Sequence, residues 1–365
     1  MTGLDTLVDG ALRDPLGAAR AYARGGGRVI GYVGAEIPVE LILASYAFPL
    51  RLPASLQSST AAADMYLESS FMPDVRSIAE QYLQGAFDFI DAVILPRSND
   101  SAQRLYYYLS ELRSRRRTAG PVPLIYDLAK IPRDSSRERS RAATQRLAAE
   151  IGVDTTALPG AIARRNRRRE LFAAATKVRQ GPASVRGSIM DRLFRAADLC
   201  GADAFDAALG GWCANPEPCG EARRILLAGS PPPDERLHRA IEAAGGNVVA
   251  EAGDHASRAV SLPLIAPDGS YTAIADHYHS LQEGTRAFVD RASSTANLAA
   301  AVNADGVVIW LIEEEDALIW DLPAQMSLLA ASGIRTLSMV RRRWDGADGA
   351  LEELQAFTRS LEGSI

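Results

Sequence analysis

The sequence predicts an α/β protein built on two parallel sheets. Short apolar runs, of the kind that form fully buried strands, occur in two groups separated by about a hundred residues. They lie at 28–33, 92–95 and 123–128, and again at 224–229, 247–250, 306–311 and 335–340. Segments with apolar residues at helical spacing separate the runs. Buried strands that alternate with amphipathic helices are typical of parallel sheets covered on both faces.

The region between the two groups has a different composition. It is rich in Arg, Ala and Glu and contains no strand pattern, so it predicts several helices. A chain of 365 residues is long enough for two domains. We therefore predict a first α/β domain with a helical lead-in at 1–133, a helical linking section at 134–220 and a second α/β domain at 221–365.

Composition indicates a globular protein that acts on neither nucleic acids nor membranes. The chain is 47% hydrophobic and 23% charged, with a net charge of −5. No apolar run approaches the ~18 residues needed to span a bilayer, and the first residues lack the pattern of a signal peptide. Three cysteines are an odd number for a disulfide framework. We expect a cytoplasmic protein in which Cys200, Cys213 and Cys219 are structural thiols.

Ligands of parallel α/β sheets bind beyond the carboxyl ends of the strands. The loops in those positions are 34–38, 97–101, 229–233 and 313–316. We predict that the two sheet domains face each other across a cleft lined by these four loops.

Five segments, in the same order along the chain, carry a family resemblance. They are GAEIPVELI at 34–42, FMPDVRS at 71–77, PRSNDS at 96–101, AGSPPPD at 228–234 and EEEDAL at 313–318. Together they resemble the 2-hydroxyacyl-CoA dehydratase and benzoyl-CoA reductase subunit family, of the 2-hydroxyglutaryl-CoA dehydratase D-component type. The resemblance implies two flavodoxin-like domains that bind acyl-CoA. It also implies a homologous partner subunit, in a heterodimer or a homodimer, and an ATP-dependent activase that supplies electrons.

The resemblance also implies a 4Fe-4S cluster, but its ligands are absent here. The family carries cysteines at the positions held by Met72, Asn99 and Glu315. Soft thiolates match iron, and these three side chains do not replace them. We therefore expect a chain that retains the scaffold and binds no cluster and no other cofactor.

Two carboxylates are candidate catalytic groups, Glu36 and Glu315, each in a loop that follows a strand. Glu36 is equally consistent with a first-turn glutamate that stabilises a helix N-terminus. Glu315 lies among four acidic residues that are common at the start of a solvated helix and that also suit a hard cation.

Six residues are candidates for substrate binding, each with a structural alternative. Arg76 would contact an acyl-CoA anion or an internal carboxylate, and Ser98 or Asn99 is suited to cap a helix. Ser230 lies in a loop that can bind an anion at a helix N-terminus. The full set is Arg76, Asn99, Asp100, Ser101, Ser230 and Arg258.

Two further patterns predict surface features. The arginine runs at 113–117 and 164–169 are typical of solvated helix faces. In His277-Tyr278-His279 both histidines would share one face of a strand, and a solvated pair is expected there.

Three functions follow from these observations. The first is a cluster-free acyl-CoA-binding or scaffold subunit that pairs with a cluster-bearing homologue. The second is an independent non-redox lyase that uses Glu36 or Glu315 as a base. The third is an active dehydratase or reductase subunit with an unconventionally ligated cluster. Whether the chain is itself an enzyme stays open.

Overall fold

The computed structural model describes residues 3–56, 59–181, 185–253, 264–266, 268–281 and 288–361. It confirms the predicted α/β class, because eight described strands form two four-stranded, entirely parallel sheets with helices packed against them. No helix within these ranges is long and apolar enough to cross a membrane.

The described residues divide into two compact units. Unit 1 takes them from 1–170, 196–205 and 261–288, and unit 2 takes them from 171–195, 206–260 and 289–365. Each unit contains one sheet. The predicted domain boundaries at 134 and 220, and the predicted cleft, stay predictions.

The strands, numbered in chain order, are short in unit 1 and longer in unit 2. Sheet 1 consists of β1 (Val29–Tyr32), β2 (Phe48–Arg51), β3 (Ala92–Pro96) and β4 (Val122–Tyr126). Sheet 2 consists of β5 (Arg223–Gly229), β6 (Gly246–Gly253), β7 (Gly306–Ile312) and β8 (Arg335–Arg342).

The helices before the second sheet are α1 (Gly3–Arg13), α2 (Gly17–Arg24), α3 (Val39–Ala44), α4 (Pro73–Leu83), α5 (Asp100–Ser114), α6 (Asp134–Ile151), α7 (Leu158–Gln180), α8 (Gly187–Ala196) and α9 (Ala202–Ala214). The later ones are α10 (Arg236–Ala243), α11 (Tyr271–Ser280), α12 (Arg291–Ala301), α13 (Leu322–Ala331) and α14 (Ala350–Ser360).

Both sheets have the same strand order. It is β2-β1-β3-β4 in sheet 1 and β6-β5-β7-β8 in sheet 2, so the first strand of each sheet lies between the next two. The chain therefore changes direction across the sheet at β1/β3 and at β5/β7. Such a topological switch point opens a crevice at the carboxyl ends of the two strands, where ligands of this fold class bind.

One face of sheet 1 forms a core with α3, α6 and α11. Alternate side chains of a strand point to one face, and Ile30 and Tyr32 of β1 pack there beside Ile94 and Tyr126. Helix α11 reaches this core from far along the chain. Its histidines contradict the expected solvated pair, because His277 and His279 lie on a helix and both are buried.

In unit 2 the end of β5 approaches β7 closely. Gly229 has a φ of +103°, a conformation that side chains disfavour, and a Cβ atom there would lie 2.2 Å from the carbonyl oxygen of Trp310. The amide of the next residue, Ser230, donates to that same carbonyl (2.7 Å). The glycine thus allows the loop after β5 to begin directly against β7.

Strand β2 was not predicted. It is a four-residue edge strand that contains Pro49, and Leu50 is its only fully buried residue. A proline is tolerated on an edge strand, where its missing N–H faces away from the ladder.

Candidate functional site

Glu36 lies at the switch point of sheet 1, in the loop between β1 and α3. Gly34, with a φ of +78°, turns the chain there. The Glu36 side chain is buried and its two oxygens have different partners. The hydroxyl of Ser98, from the loop after β3, donates to Oε2. The ammonium of Lys130, from the loop after β4, lies 2.5 Å from Oε1.

Lys130 extends this contact to α11. Its Nζ also donates to the backbone carbonyls of Tyr278 (3.2 Å) and Leu281, at the C-terminal end of that helix. Only 3% of the lysine side chain is exposed. We call Glu36, Ser98 and Lys130 with these two carbonyls the Glu36 cluster. It joins the loops after three strands to the end of a helix where cations are favoured.

A second buried carboxylate, Glu40, lies four residues further on, in the first turn of α3. Its Oε1 is 2.5 Å from the guanidinium of Arg169, and its Oε2 accepts a hydrogen bond from the Tyr278 hydroxyl (2.9 Å). Burial would raise the pKa of Glu40, but the guanidiniums of Arg169 and Arg165 outweigh burial and hold that pKa at about 2. Glu40 is therefore ionised over the physiological pH range.

Part of the arginine run at 164–169 belongs to this interior, so the expected solvated face is wrong for Arg165, Arg168 and Arg169, while Arg164 and Arg167 are exposed. Arg168 and Arg169 are buried, and Arg165 and Arg168 both approach Asp198 (3.4 and 3.7 Å). Burial would raise the pKa of Asp198, but Arg165 and Arg168 lower it overall. The run supplies counter-charges to acidic side chains that lie far away in the sequence.

Met72 and Asn99, the two positions of unit 1 that the resemblance aligns with cluster ligands, lie at the starts of two helices that contact each other. The amide of Met72 donates to the Ser101 hydroxyl (3.1 Å), which joins the start of α4 to the start of α5. Asn99 caps α5, since its Oδ1 accepts from the Ala102 amide (2.8 Å). The predicted cap is confirmed, and it uses the amide oxygen that a ligand role would need.

The charged candidates of this region form ion pairs. Arg76 contacts Asp64, with 3.1 Å between Nε and Oδ1, so it binds an internal carboxylate. The Asp100 side chain is 56% exposed and lies 3.8 Å from Arg104. Arg104 also pairs with Glu68 at 2.8 Å.

In unit 2 the structure describes Ser230 and Glu315 but not Arg258, which lies outside the described residues. Ser230 is buried and its Oγ accepts from the amide of Ile312 (3.2 Å). Glu315 is buried, and its Oε1 accepts from the amides of Ala317 and Leu318 at 3.2 Å each. These contacts fix the loops after β5 and β7.

A buried histidine of unit 2 was not predicted. His238 on α10 is fully buried, and its Nε2 lies 2.7 Å from Glu251 on β6. Arg179 lies 3.4 Å from the same carboxylate. Burial would lower the pKa of His238, but the bond to Glu251 and the charge of Asp191 raise it overall.

A comparison with known families decides the affiliation. The profile of the 2-hydroxyglutaryl-CoA dehydratase D-component matches residues 35–361. The chain belongs to this family. A search of curated proteins found no match. The matched range includes every candidate site residue named above, from Glu36 to Glu315.

The residues at the cluster positions of this dehydratase family do not fit a 4Fe-4S cluster. Such clusters are held by cysteine thiolates, whereas the oxygens of Asn99 and Glu315 already accept backbone hydrogen bonds and Met72 offers a thioether. No three His, Cys, Asp or Glu side chains are grouped to bind a metal in the part of the chain that the structure describes.

The three cysteines belong to different units. Cys200, of unit 1, donates to the Ala196 carbonyl (3.1 Å). Cys213 and Cys219 belong to unit 2, where Cys213 contacts the Leu171 carbonyl (3.7 Å) and Cys219 accepts from Asn247 (3.5 Å).

Lys130 is the site residue that sequence interpretation missed, although one signal pointed to it. The chain has 40 basic residues and only Lys130 and Lys177 are lysines. A lysine two residues after a predicted strand is an exception in so arginine-rich a chain, and a compact ammonium is not interchangeable with a planar guanidinium.

We expect Lys130→Met to lower the free energy of unfolding by about 3–5 kcal/mol, because it leaves the Glu36 carboxylate buried without its counter-charge. The double variant Glu36→Gln/Lys130→Met should recover much of this loss, since both charges are then absent. Urea unfolding at neutral pH measures both. Lys177→Met, at an exposed position, is the matched control and should change the free energy by less than about 0.5 kcal/mol. Equal stability of Lys130→Met and wild type would contradict the assigned ion pair.

Glu40 should make the protein sensitive to acid. Its pKa falls from an ordinary value of 4.5 to about 2 on folding. The stability it contributes is complete above its unfolded pKa and is lost as the pH falls through the folded one. We expect about 3 kcal/mol to disappear over that interval.

Unfolding free energies measured from about pH 5 down to about pH 2.5 test this, with Glu40→Gln as the variant and exposed Glu138→Gln as the control. Glu40→Gln should have a flatter pH profile than either wild type or the control. Parallel profiles for all three proteins would sink the prediction.

Proposed function

We propose that this chain is a cluster-free subunit of a 2-hydroxyacyl-CoA dehydratase or benzoyl-CoA reductase type of complex. In this proposal it binds acyl-CoA and acts as scaffold for a cluster-bearing homologous subunit. The dehydratase family profile supports the kind of complex, because it describes one component of such an enzyme.

The observation that carries the cluster-free assignment is the bonding of the side chains at the former ligand positions. Asn99 caps a helix, and Glu315 accepts two backbone amides in the loop after β7. These side chains keep the loops in place without a metal. Met, Asn and Glu also do not store and return a single electron at ordinary potentials, which a cluster does. The redox centre would therefore belong to the partner, which an ATP-dependent activase would supply with electrons.

The lyase alternative receives no support from the contacts of its candidate bases. A general base needs an oxygen that can reach the substrate proton. In Glu36 one oxygen faces Lys130 and the other accepts the Ser98 hydroxyl, and Glu315 accepts two amides. Catalytic roles for these two glutamates stay predictions.

An exposed apolar surface of unit 2 supports the proposal of a partner subunit. The Trp320 side chain, in the loop before α13, is 84% exposed, and α13 carries no charged residue while leaving Leu328 37% exposed. Exposed apolar groups close together in the sequence are typical of a surface that another chain covers. We assign this surface to the homologous subunit.

The purified chain should contain no stoichiometric iron–sulfur cluster, because no thiolate occupies the three family positions. Anaerobic purification with iron and sulfide analysis measures this. About four irons per chain, lost when Cys200, Cys213 or Cys219 is replaced, would refute it. The variant Met72→Cys/Asn99→Cys/Glu315→Cys is the comparison, and iron uptake by this variant alone would identify the positions as former ligand sites.

The chain should co-purify with a homologous subunit that carries the three cysteines, and alone it should not dehydrate any 2-hydroxyacyl-CoA in the presence of activase and ATP. Trp320→Ala should weaken the association, while Phe288→Ala, which removes a 61% exposed aromatic of unit 1, should not. Turnover by the isolated chain, or association that both substitutions leave unchanged, would count against the assignment.

A further inference from the structure

A group of charged side chains lies at the ends of two strands of unit 1 and has no part in the functions proposed above. Arg97 is the first residue after β3, and Asp127 is the first residue after β4. The two ends are tied together, since the amide of Arg97 donates to the carbonyl of Tyr126 (3.0 Å). Both residues therefore lie at the carboxyl edge of sheet 1, where ligands of this fold class bind.

Three guanidinium groups converge on the one carboxylate of Asp127. Arg97 Nη1 lies 2.6 Å from Oδ1, and Arg139 Nη2 lies 2.5 Å from Oδ2. Arg146 Nη2 approaches the same Oδ2 at 3.8 Å. Arg139 and Arg146 are seven residues apart on α6, so they share one face of that helix.

The charges of this group do not balance. Among the described residues, Arg139 and Arg146 form ion pairs with no carboxylate other than Asp127, which they share with Arg97, so positive charge is in excess at this face of α6. The surrounding segment 127–146 has six basic and three acidic residues, and two of the basic ones, Lys130 and Arg141, pair with Glu36 and Asp276 from outside it. Like charges held this close repel each other, and an anion bound between them removes that repulsion.

The cations face solvent while the carboxylate that positions them is covered. The side chains of Arg97, Arg139 and Arg146 are 38%, 57% and 55% exposed, against 15% for Asp127. Burial would raise the pKa of Asp127, but hydrogen bonds from Arg97 and Arg139 lower it overall, so it stays ionised. An incoming anion would thus meet guanidinium groups first.

We propose that Arg97, Arg139 and Arg146, held in place by Asp127, form a binding site for a phosphate-bearing anion. Guanidinium groups bind phosphate oxygens bidentately, and three of them suit a diphosphate better than a single carboxylate. Asp127 is a positioning residue in this site and does not touch the ligand.

The site borders the Glu36 cluster through the chain itself. Arg97 precedes Ser98, whose hydroxyl binds Glu36, and Asp127 lies three residues before Lys130. In so far as this extension rests on the proposed function, the diphosphate would be that of acyl-CoA. The anion site itself is defined without reference to it.

The test is calorimetric titration of the full-length chain at low ionic strength with inorganic phosphate, pyrophosphate and ADP. Wild type should bind pyrophosphate and ADP more tightly than phosphate. The double variant Arg139→Gln/Arg146→Gln should lose about tenfold or more in affinity for both, the effect of removing charge-assisted hydrogen bonds. Its thermal unfolding is measured alongside, to show that the variant is folded.

The matched control is Arg115→Gln/Arg164→Gln, which removes the same charge from two other exposed ion pairs. Affinities should stay at the wild-type value in this control. Equal weakening in the two double variants, or a wild type that binds neither pyrophosphate nor ADP, would overturn the proposal.

Titration with an acyl-CoA separates this inference from the proposed function. Binding of pyrophosphate without any binding of acyl-CoA would preserve the anion site and contradict the proposed function. Acyl-CoA binding that Arg139→Gln/Arg146→Gln leaves unchanged would preserve the proposed function and refute the assigned site.

Discussion

The carboxyl edge of sheet 1 depends on the ammonium of Lys130. It is the point at which the loop after β1, the loop after β4 and the end of α11 meet, through Glu36 and two backbone carbonyls. A buried charge is tolerated only when its partners are complete. Because each partner comes from a different stretch of chain, the same contact that satisfies the charge also sets the positions of the three stretches.

Glu40, four residues further along the chain, follows the same principle. Its carboxylate joins Arg169 of α7 to Tyr278 of α11. Glu36 and Glu40, which the dehydratase family stretch at 34–42 places four residues apart, therefore both hold α11 against the sheet. The contacts of both carboxylates position these elements within unit 1.

Most strands, the fold class and the family could be predicted from the sequence because they depend on local patterns. Strand β2 could not, since four residues with one buried side chain and a proline leave no periodicity. The buried Arg168 and Arg169 were misjudged because the local composition resembles a solvated face, while Glu40, the partner of Arg169, lies 129 residues away. Lys130 was missed for the same reason, as its partners lie in distant segments.

The order of segments in unit 1 has a consequence for biosynthesis. Its sheet is complete by residue 126, yet α11 follows β5 and β6 of the other unit. A growing chain therefore leaves part of the apolar face of sheet 1 uncovered, and Lys130 and Glu40 without their partners on α11, until the ribosome has added more than a hundred further residues. The core of the first unit is therefore completed only after β5 and β6 of the second have been translated, and a fragment that ends between the two sheets would lack α11, which forms part of that core.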